Sequence, residues 1–445
     1  MMRPRSWLLV AALTSAPLGL ASCGAGLRGQ LAEAAARGDF ARAWSSYESL
    51  RASDGDDDEL LALVAESLLL REARGDEEAA RAAAIQQLAL AGTRGRRPLE
   101  ALSRSEGPAA VEALVALARV GHRDAQRLLR GMADSEDPSV RAASVLGMAP
   151  EQDGALLLAW CGDPSRLVRE AACARLGDLA PDTAALDTLG ERARIDPDAR
   201  VRATASRALG RFGAAASIWL RDRLSDADPR VRDAALEALL RADREAGRQA
   251  VSSILETPTS ATTLEAARLL ATTLDAHAPP TDDERARARA HLFAALVHPD
   301  AGLRGQAAMA LLSVGPDAET ARALLPLVER EPDVAVRLSL ARALAGRDGV
   351  GQAARAALGR ILAEDHGMIG LQAAIVLTAV GDEAGLVRLR AELSSPEASL
   401  RRVAARAIAR DALRPSEARP LLEDADAAVR IAAAGGILAA AAARE

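Results

Sequence analysis

Residues 228–240 read DPRVRDAALEALL, and how this stretch is understood decides the fold. Taken alone it offers an Asp, two Arg and a Pro, residue types that could do chemistry. It also has the grammar of a helix start. Asp228 suits an N-cap, whose side chain accepts from the first free amides, and Pro229 suits the first helical position, where no N–H is needed. Val231, Ala235, Leu236 and Leu239 then recur at helical spacing.

The stretch has relatives. Asp137-Pro138-Ser139-Val140-Arg141-Ala142-Ala143 repeats it, Asp163-Pro164 leads to Val168-Arg169, and Asp196-Pro197 leads to Val201-Arg202. Glu331-Pro332 leads to Val336-Arg337, Ser395-Pro396 to Leu400-Arg401, and Asp426 to Val429-Arg430. Arg141, Arg169, Arg202 and Arg232 are spaced 28, 33 and 30 residues apart, and Arg304, Arg337, Arg401 and Arg430 continue the series. Leu264-Glu265 and Ile369-Gly370 fill its gaps with altered residues, and Val111-Glu112 opens it, giving about eleven units. A second short apolar helix lies between successive starts, as at 215–224, 321–329 and 386–393. The unit is helix A, an Asp-Pro turn, then helix B.

Composition agrees. Of 445 residues, 49% are hydrophobic but only 2% aromatic, so Ala, Leu and Val build the interior. Alanine is the best helix former, and the β-branched and aromatic runs that mark strands are absent. All 56 basic residues are Arg, a composition from which no function follows.

The repeats at 98–443 resemble HEAT repeats, in particular the bacterial type related to phycobilisome lyase repeats. The resemblance implies an all-α, right-handed α-solenoid of the armadillo/HEAT type, made of antiparallel helix pairs. Asp would cap helix B, Val and the later Leu would face the inter-helix layer, and the Ala pair would let A and B approach. In that family the Arg forms an Asp–Arg ladder along the stack. Arg141, Arg169, Arg202, Arg232, Arg304, Arg337, Arg401 and Arg430 are expected to be its rungs, a partly exposed pair contributing about 0 to 1 kcal/mol. Stacking about eleven units at 8–10 Å each predicts an arc on the order of 100 Å with the B helices on its concave face. Asp233, Glu237 and Arg241 are the outward residues of the helix that starts at 228, and a partner would have to read this copy there.

Residues 30–91 follow another period. Gly38-Asp39-Phe40 precedes Ala43 and Tyr47, and Gly75-Asp76-Glu77 precedes Ala80 and Ala84. This resembles two tetratricopeptide repeats with the acidic run 54–59 as an insert, or a helical cap for the array, whose end repeat has an unburied face. Trp44 and Tyr47 would either stack in the core or face a peptide groove.

The chain begins MMRPRSWLLVAAL, a positive stretch before a short apolar one, and reaches Leu20-Ala21-Ser22-Cys23. This resembles a bacterial lipoprotein signal at residues 1–22, with acylation of Cys23 and a short linker, 23–29, before the first helix. Residues 24–29, fully extended, span roughly 20 Å and would hold the array close to the bilayer. Gly24 after the Cys favours the outer membrane, facing the periplasm. The net charge of −6, or −8 without Arg3 and Arg5, makes nucleic acid a poor partner.

No constellation for chemistry emerges. His122, His277, His291, His298 and His366 include no His-Glu pair of the kind that holds di-iron in deoxyhypusine hydroxylase. His291 and His298 could share a helix face, but two ligands do not make a site. Trp160 and Trp219 fit packing roles. Cys161 and Cys173 fall on adjacent helices, each some way from the shared turn; an exported location permits a disulfide between them, and two buried small residues is the preferred reading. Residues 256–285 and 365–371 depart from the repeat, by degeneracy or as a contact or hinge.

The expectation is a lipid-anchored, non-catalytic scaffold of the cell envelope, without cofactor, metal or small-molecule substrate, binding a protein or peptide partner. The alternatives are a HEAT-like repeat enzyme (a lyase or metal-dependent oxidoreductase) and a purely structural envelope protein.

Overall fold

The structure is a computed structural model that describes residues 18–272, 281–314, 318–364, 367–411 and 414–444. Among the described residues it has 26 α-helices and no strand. The chain is an all-α solenoid. Each unit is a helix pair, and each B helix packs on the B helix of the next unit. Ala199–Leu209 lies along Pro229–Ala242, for example, whereas the outer helices Ser217–Arg223 and Arg244–Leu255 scarcely meet. Close inner spacing and splayed outer spacing curve the stack, with B inside.

The expected open arc is corrected. The last helix, Ala427–Ala442, packs against Asp58–Ala73 and Glu78–Leu90 at the other end of the chain. One apolar cluster runs from Leu31 to Leu129 and continues through Leu371 to Ala441. The solenoid therefore closes into a ring. Val429, Ile431, Ile437 and Leu438 are all buried, where the end repeat of an open array would expose a face. Gly435 and Gly436 permit this approach. A Cβ on Gly435 would meet the Gln87 side chain at 2.3 Å, and one on Gly436 would meet Ala409 Cβ at 3.0 Å. Two glycines inside a helix cost helix propensity, on the order of 1 kcal/mol each, which the packing on both sides offsets. Counted from Glu78–Leu90, twelve described helices line the inside. At about 9 Å per helix they make a circumference near 110 Å, so opposing axes stand roughly 35 Å apart.

The N-terminal helices are Leu18–Arg37, Phe40–Asp54, Asp58–Ala73 and Glu78–Leu90. Gly38, at φ +72°, turns the chain between the first two, and Asp39 then caps by accepting from Arg42 N. The acidic run at 54–59 supplies Asp57, which accepts from Glu59 N and Leu60 N to start the third helix. These helices form the seam with the last repeat, a different task from capping a free end. Residues 1–17 and the side chain of Cys23 lie outside the described residues. The backbone of residues 24–29, expected as a tether, continues in the helix Leu18–Arg37. No helix among the described residues is long and apolar enough to cross a membrane.

The irregular stretch at 256–285 contains ordinary helices. Ser260 and Thr263 form a capping box for Ala261–Ala271, and Thr281 and Glu284 form another for Asp282–Ala295. At 365–371 the helix Met368–Ala379 starts after Gly367, with Gly370 and Leu371 buried. Residues 273–280 and 365–366 lie outside the described residues.

Candidate functional site

Arginine geometry organises the inner layer. In each regular unit the Arg of helix B sends Nη1 to two carbonyls of its own turn, five and six residues earlier. Arg202 donates to Asp196 O and Pro197 O, and Arg401 to Ser395 O and Pro396 O. Its Nε and Nη2 then reach the acid of the next unit. Arg169 holds Asp196 at 2.8 and 3.1 Å, Arg202 holds Asp226 at 3.0 and 2.9 Å, Arg304 holds Glu331 at 2.9 and 2.7 Å, and Arg401 holds Asp424 at 2.8 and 2.9 Å. Arg141 reaches both oxygens of Asp163 at 3.3 Å.

Two acids share the work that the sequence assigned to one. The ladder acid stands six residues before the Arg, and its carboxylate also accepts the backbone N–H two residues on, as Asp226 does from Asp228. The cap stands four residues before the Arg: Asp228 accepts from Arg230 N, and Asp198 from Arg200 N. So Asp196 and Asp163 are ladder acids, while Asp198 and Ser165 occupy the cap positions. The ladder acids are also more buried than expected. The Asp196 side chain is 0% exposed and that of Asp226 is 5% exposed. Removing an Arg alone would strand a buried carboxylate, which costs far more than losing a surface pair.

Two rungs depart from the pattern. Among the described residues Arg232 pairs with no carboxylate: Pro258, two residues before the cap Ser260, stands where the next acid belongs, and Arg232 Nη2 reaches Thr262 Oγ1 at 3.5 Å. Arg337 reaches Glu364 at 3.5 Å. At the seam the ladder continues across the chain ends. Arg430 donates from Nε and Nη2 to Glu72 Oε1 at 3.1 and 2.9 Å, while its Nη1 holds Asp424 O and Ala425 O. Arg81, a rung that the Val-Arg pattern does not reveal because Ala80 precedes it, holds Glu112 at 2.9 Å. Its place relative to Gly75-Asp76, six and five residues earlier, was the available signal.

Several grooves mark the inner wall among the described residues, and two of them bear on the site. The larger, about 900 Å³, crosses four successive B helices and includes Arg230, Asp233, Glu265, Arg268, Met309 and Asp333. Asp233, read from sequence as outward, is half-buried here. Its Oδ1 is buried without a hydrogen bond, and burial, with Glu265 adding, pushes its carboxyl up to about 6. Glu237 and Arg241 pair with one another at 2.9 Å instead of joining it. The second groove, about 500 Å³, spans the seam between Gln87 and the exposed face of Arg402, Arg406 and Arg410.

Trp44, Tyr47 and Trp219 belong to packing. Tyr47 is 1% exposed, so it faces no groove. Its hydroxyl donates to Asp56 at 3.4 Å, and burial, with Asp56 beside it, pushes its pKa up to about 12. Trp44 stacks between Phe40 and Tyr47 and lies 5.9 Å from the Arg419 guanidinium across the seam. Trp219 packs over Gly190, where a Cβ would meet its ring at 2.4 Å.

The described histidines do not converge. His122 caps the helix Arg123–Arg130 and contacts Glu100 at 3.1 Å. His291 is on the helix Asp282–Ala295, while His298 lies beyond its end and accepts from Asp300 N, so they share no helix face. His277 and His366 lie outside the described residues. Among the described residues no three metal-ligating side chains come together. Cys161 and Cys173, between which the sequence left a disulfide open, are both buried with their Sγ atoms 3.3 Å apart.

A family model described as HEAT repeats matches residues 154–240 and 186–271. No curated protein matches the chain. Among solved structures it is similar to the complex of CpcE and CpcF of phycocyanin lyase from Nostoc sp. PCC7120, with 20% identity, TM-score 0.28, and coverage of 64% of this chain and 92% of that one. It is also similar to Kap121p, with 14% identity, TM-score 0.37 and coverage of 84% of this chain and 54% of that one, so it spans about half of Kap121p. Human deoxyhypusine hydroxylase in complex with glycerol is similar at 20% identity and TM-score 0.24, over 70% of this chain and 95% of that one. Residues 154–271 thus match HEAT repeats and lie within an all-α solenoid.

Proposed function

We propose that this chain is a non-catalytic scaffold that holds a protein partner along the inner wall of its ring, anchored through an acylated Cys23 to the outer membrane and facing the periplasm. The observation that carries the binding role is the groove across four B helices. A surface made by several repeats suits distributed contacts with an extended segment rather than enclosure of a small molecule. Met309, 55% exposed within it, supplies an adaptable apolar contact among charged neighbours. The membrane role rests on the order of charge, apolar run and Leu20-Ala21-Ser22-Cys23 in the sequence.

A photo-crosslinking side chain placed at Met309 in native membranes tests the binding role. It should capture a discrete partner that the same group at Ile218, 75% exposed on an outer helix, does not. Equal capture from both positions, or none, would sink the reading. Cys23→Ser should move the chain from the membrane fraction to the soluble one.

One observation favours a second reading, a repeat enzyme of the lyase or oxidoreductase kind. Asp233, with its carboxyl near 6, could move a proton in the groove. Turnover by the purified chain that Asp233→Asn abolishes, with partner capture unchanged, would establish it over the scaffold.

A further inference from the structure

Three cysteines occur in 445 residues, and two of them meet. Cys161 closes the helix Pro150–Trp160, and Cys173 sits inside the helix Arg166–Leu176. Both side chains are buried, at 1% and 0% exposure, among Val145, Met148, Leu157 and Leu176. A disulfide needs an S–S distance near 2.05 Å, so closing the 3.3 Å gap asks for little more than 1 Å of movement.

We infer that Cys161 and Cys173 form an intramolecular disulfide that ties helix A to helix B of one repeat, made as the chain folds in an oxidising compartment, a setting that rests on the periplasmic location proposed above. The oxidant is a small disulfide such as oxidised glutathione. One cysteine thiolate attacks a glutathione sulfur and releases one glutathione thiolate. The second cysteine thiolate attacks the protein sulfur of that mixed disulfide and releases the other. The two protons leaving the cysteines end on the two glutathione thiols. The reactive form is the thiolate. In the folded chain, the contact with Cys161 and burial in the apolar core both push the Cys173 thiol up, out of its reactive range. Solvent access is equally poor. The folded state therefore protects whichever form it encloses: reduced thiols resist oxidation, and the finished bond resists reductant.

The test refolds the full chain from urea into oxidised and reduced glutathione, followed by alkylation, intact mass and non-reducing peptide mapping. A Cys23→Ser chain is run in parallel so that the third thiol cannot exchange. The expected result is a loss of two hydrogens and a linked pair of peptides carrying Cys161 and Cys173. The bond should survive dithiothreitol in native buffer and yield to it in urea. The oxidised form should melt about 3 °C above the reduced form. Recovery of both cysteines alkylated in the refolded Cys23→Ser chain, or a bond between chains in place of this one, would overturn the inference.

Discussion

Arg430 and Glu72 stand 358 positions apart and touch only if the ring is closed. Alanine at each, singly and together, gives a double-mutant cycle that reads this contact. Arg430 places Nε and Nη2 at 3.1 and 2.9 Å from one carboxylate oxygen, with the side chains 20% and 11% exposed. At an effective dielectric of 20, two unit charges about 4 Å apart attract by about 4 kcal/mol, before desolvation takes its share. What remains is a coupling of about 1 to 2 kcal/mol, within the range for residues in direct contact. The two carbonyl bonds that Arg430 makes to its own turn are lost in both arms of the cycle and cancel. The assay is urea unfolding followed by helical circular dichroism, with an Arg401/Asp424 cycle as a reference from adjacent repeats. Equal coupling in the two cycles is expected. Additivity within about 0.3 kcal/mol at the seam, beside clear coupling at Arg401, would refute closure, because distant independent sites add.

Two further outcomes follow from the ladder. Arg202→Ala takes from the buried Asp226 carboxylate its two short bonds, leaving Arg223 at 3.4 Å and the Asp228 N–H, and should cost about 3 kcal/mol. Arg232→Ala loses its bonds to Asp226 O and Ala227 O but breaks no carboxylate pair among the described residues, and should cost about 1 to 2 kcal/mol; the two variants' urea midpoints check this, and equal costs would contradict the burial argument. The second outcome concerns acid. The Arg401 guanidinium holds Asp424 below the ordinary carboxylate range, against the opposing effect of burial. A depressed folded value means that the stability due to the ionised form is complete above the unfolded value near 3.8 and disappears as pH falls through the folded value. Melting temperatures between pH 6 and pH 3 should therefore fall more steeply for the wild-type chain than for Asp424→Asn.

The sequence by itself determined the helix pair, because its causes are local. Caps, Pro at the first helical position, apolar spacing and small residues act within a dozen positions, and their recurrence marks Asp228–Leu240 as one copy among many. It also placed the arginines of the regular rungs, such as Arg169, Arg202, Arg304 and Arg401, since their spacing follows the repeat, but not Arg81. The tertiary structure decided what depends on distance. Curvature accumulates from small rotations between units, and no single unit encodes whether the ends meet, so closure at Arg430 and Glu72 was not legible. The same holds for Cys161 and Cys173, twelve residues apart on different helices, whose separation depends on how the pair packs. Asp233 looked outward because its helix has polar neighbours, and only the stacking of Ala261–Ala271 beside it buries one of its oxygens. Local chemistry sets the element, and packing sets which faces remain for a partner.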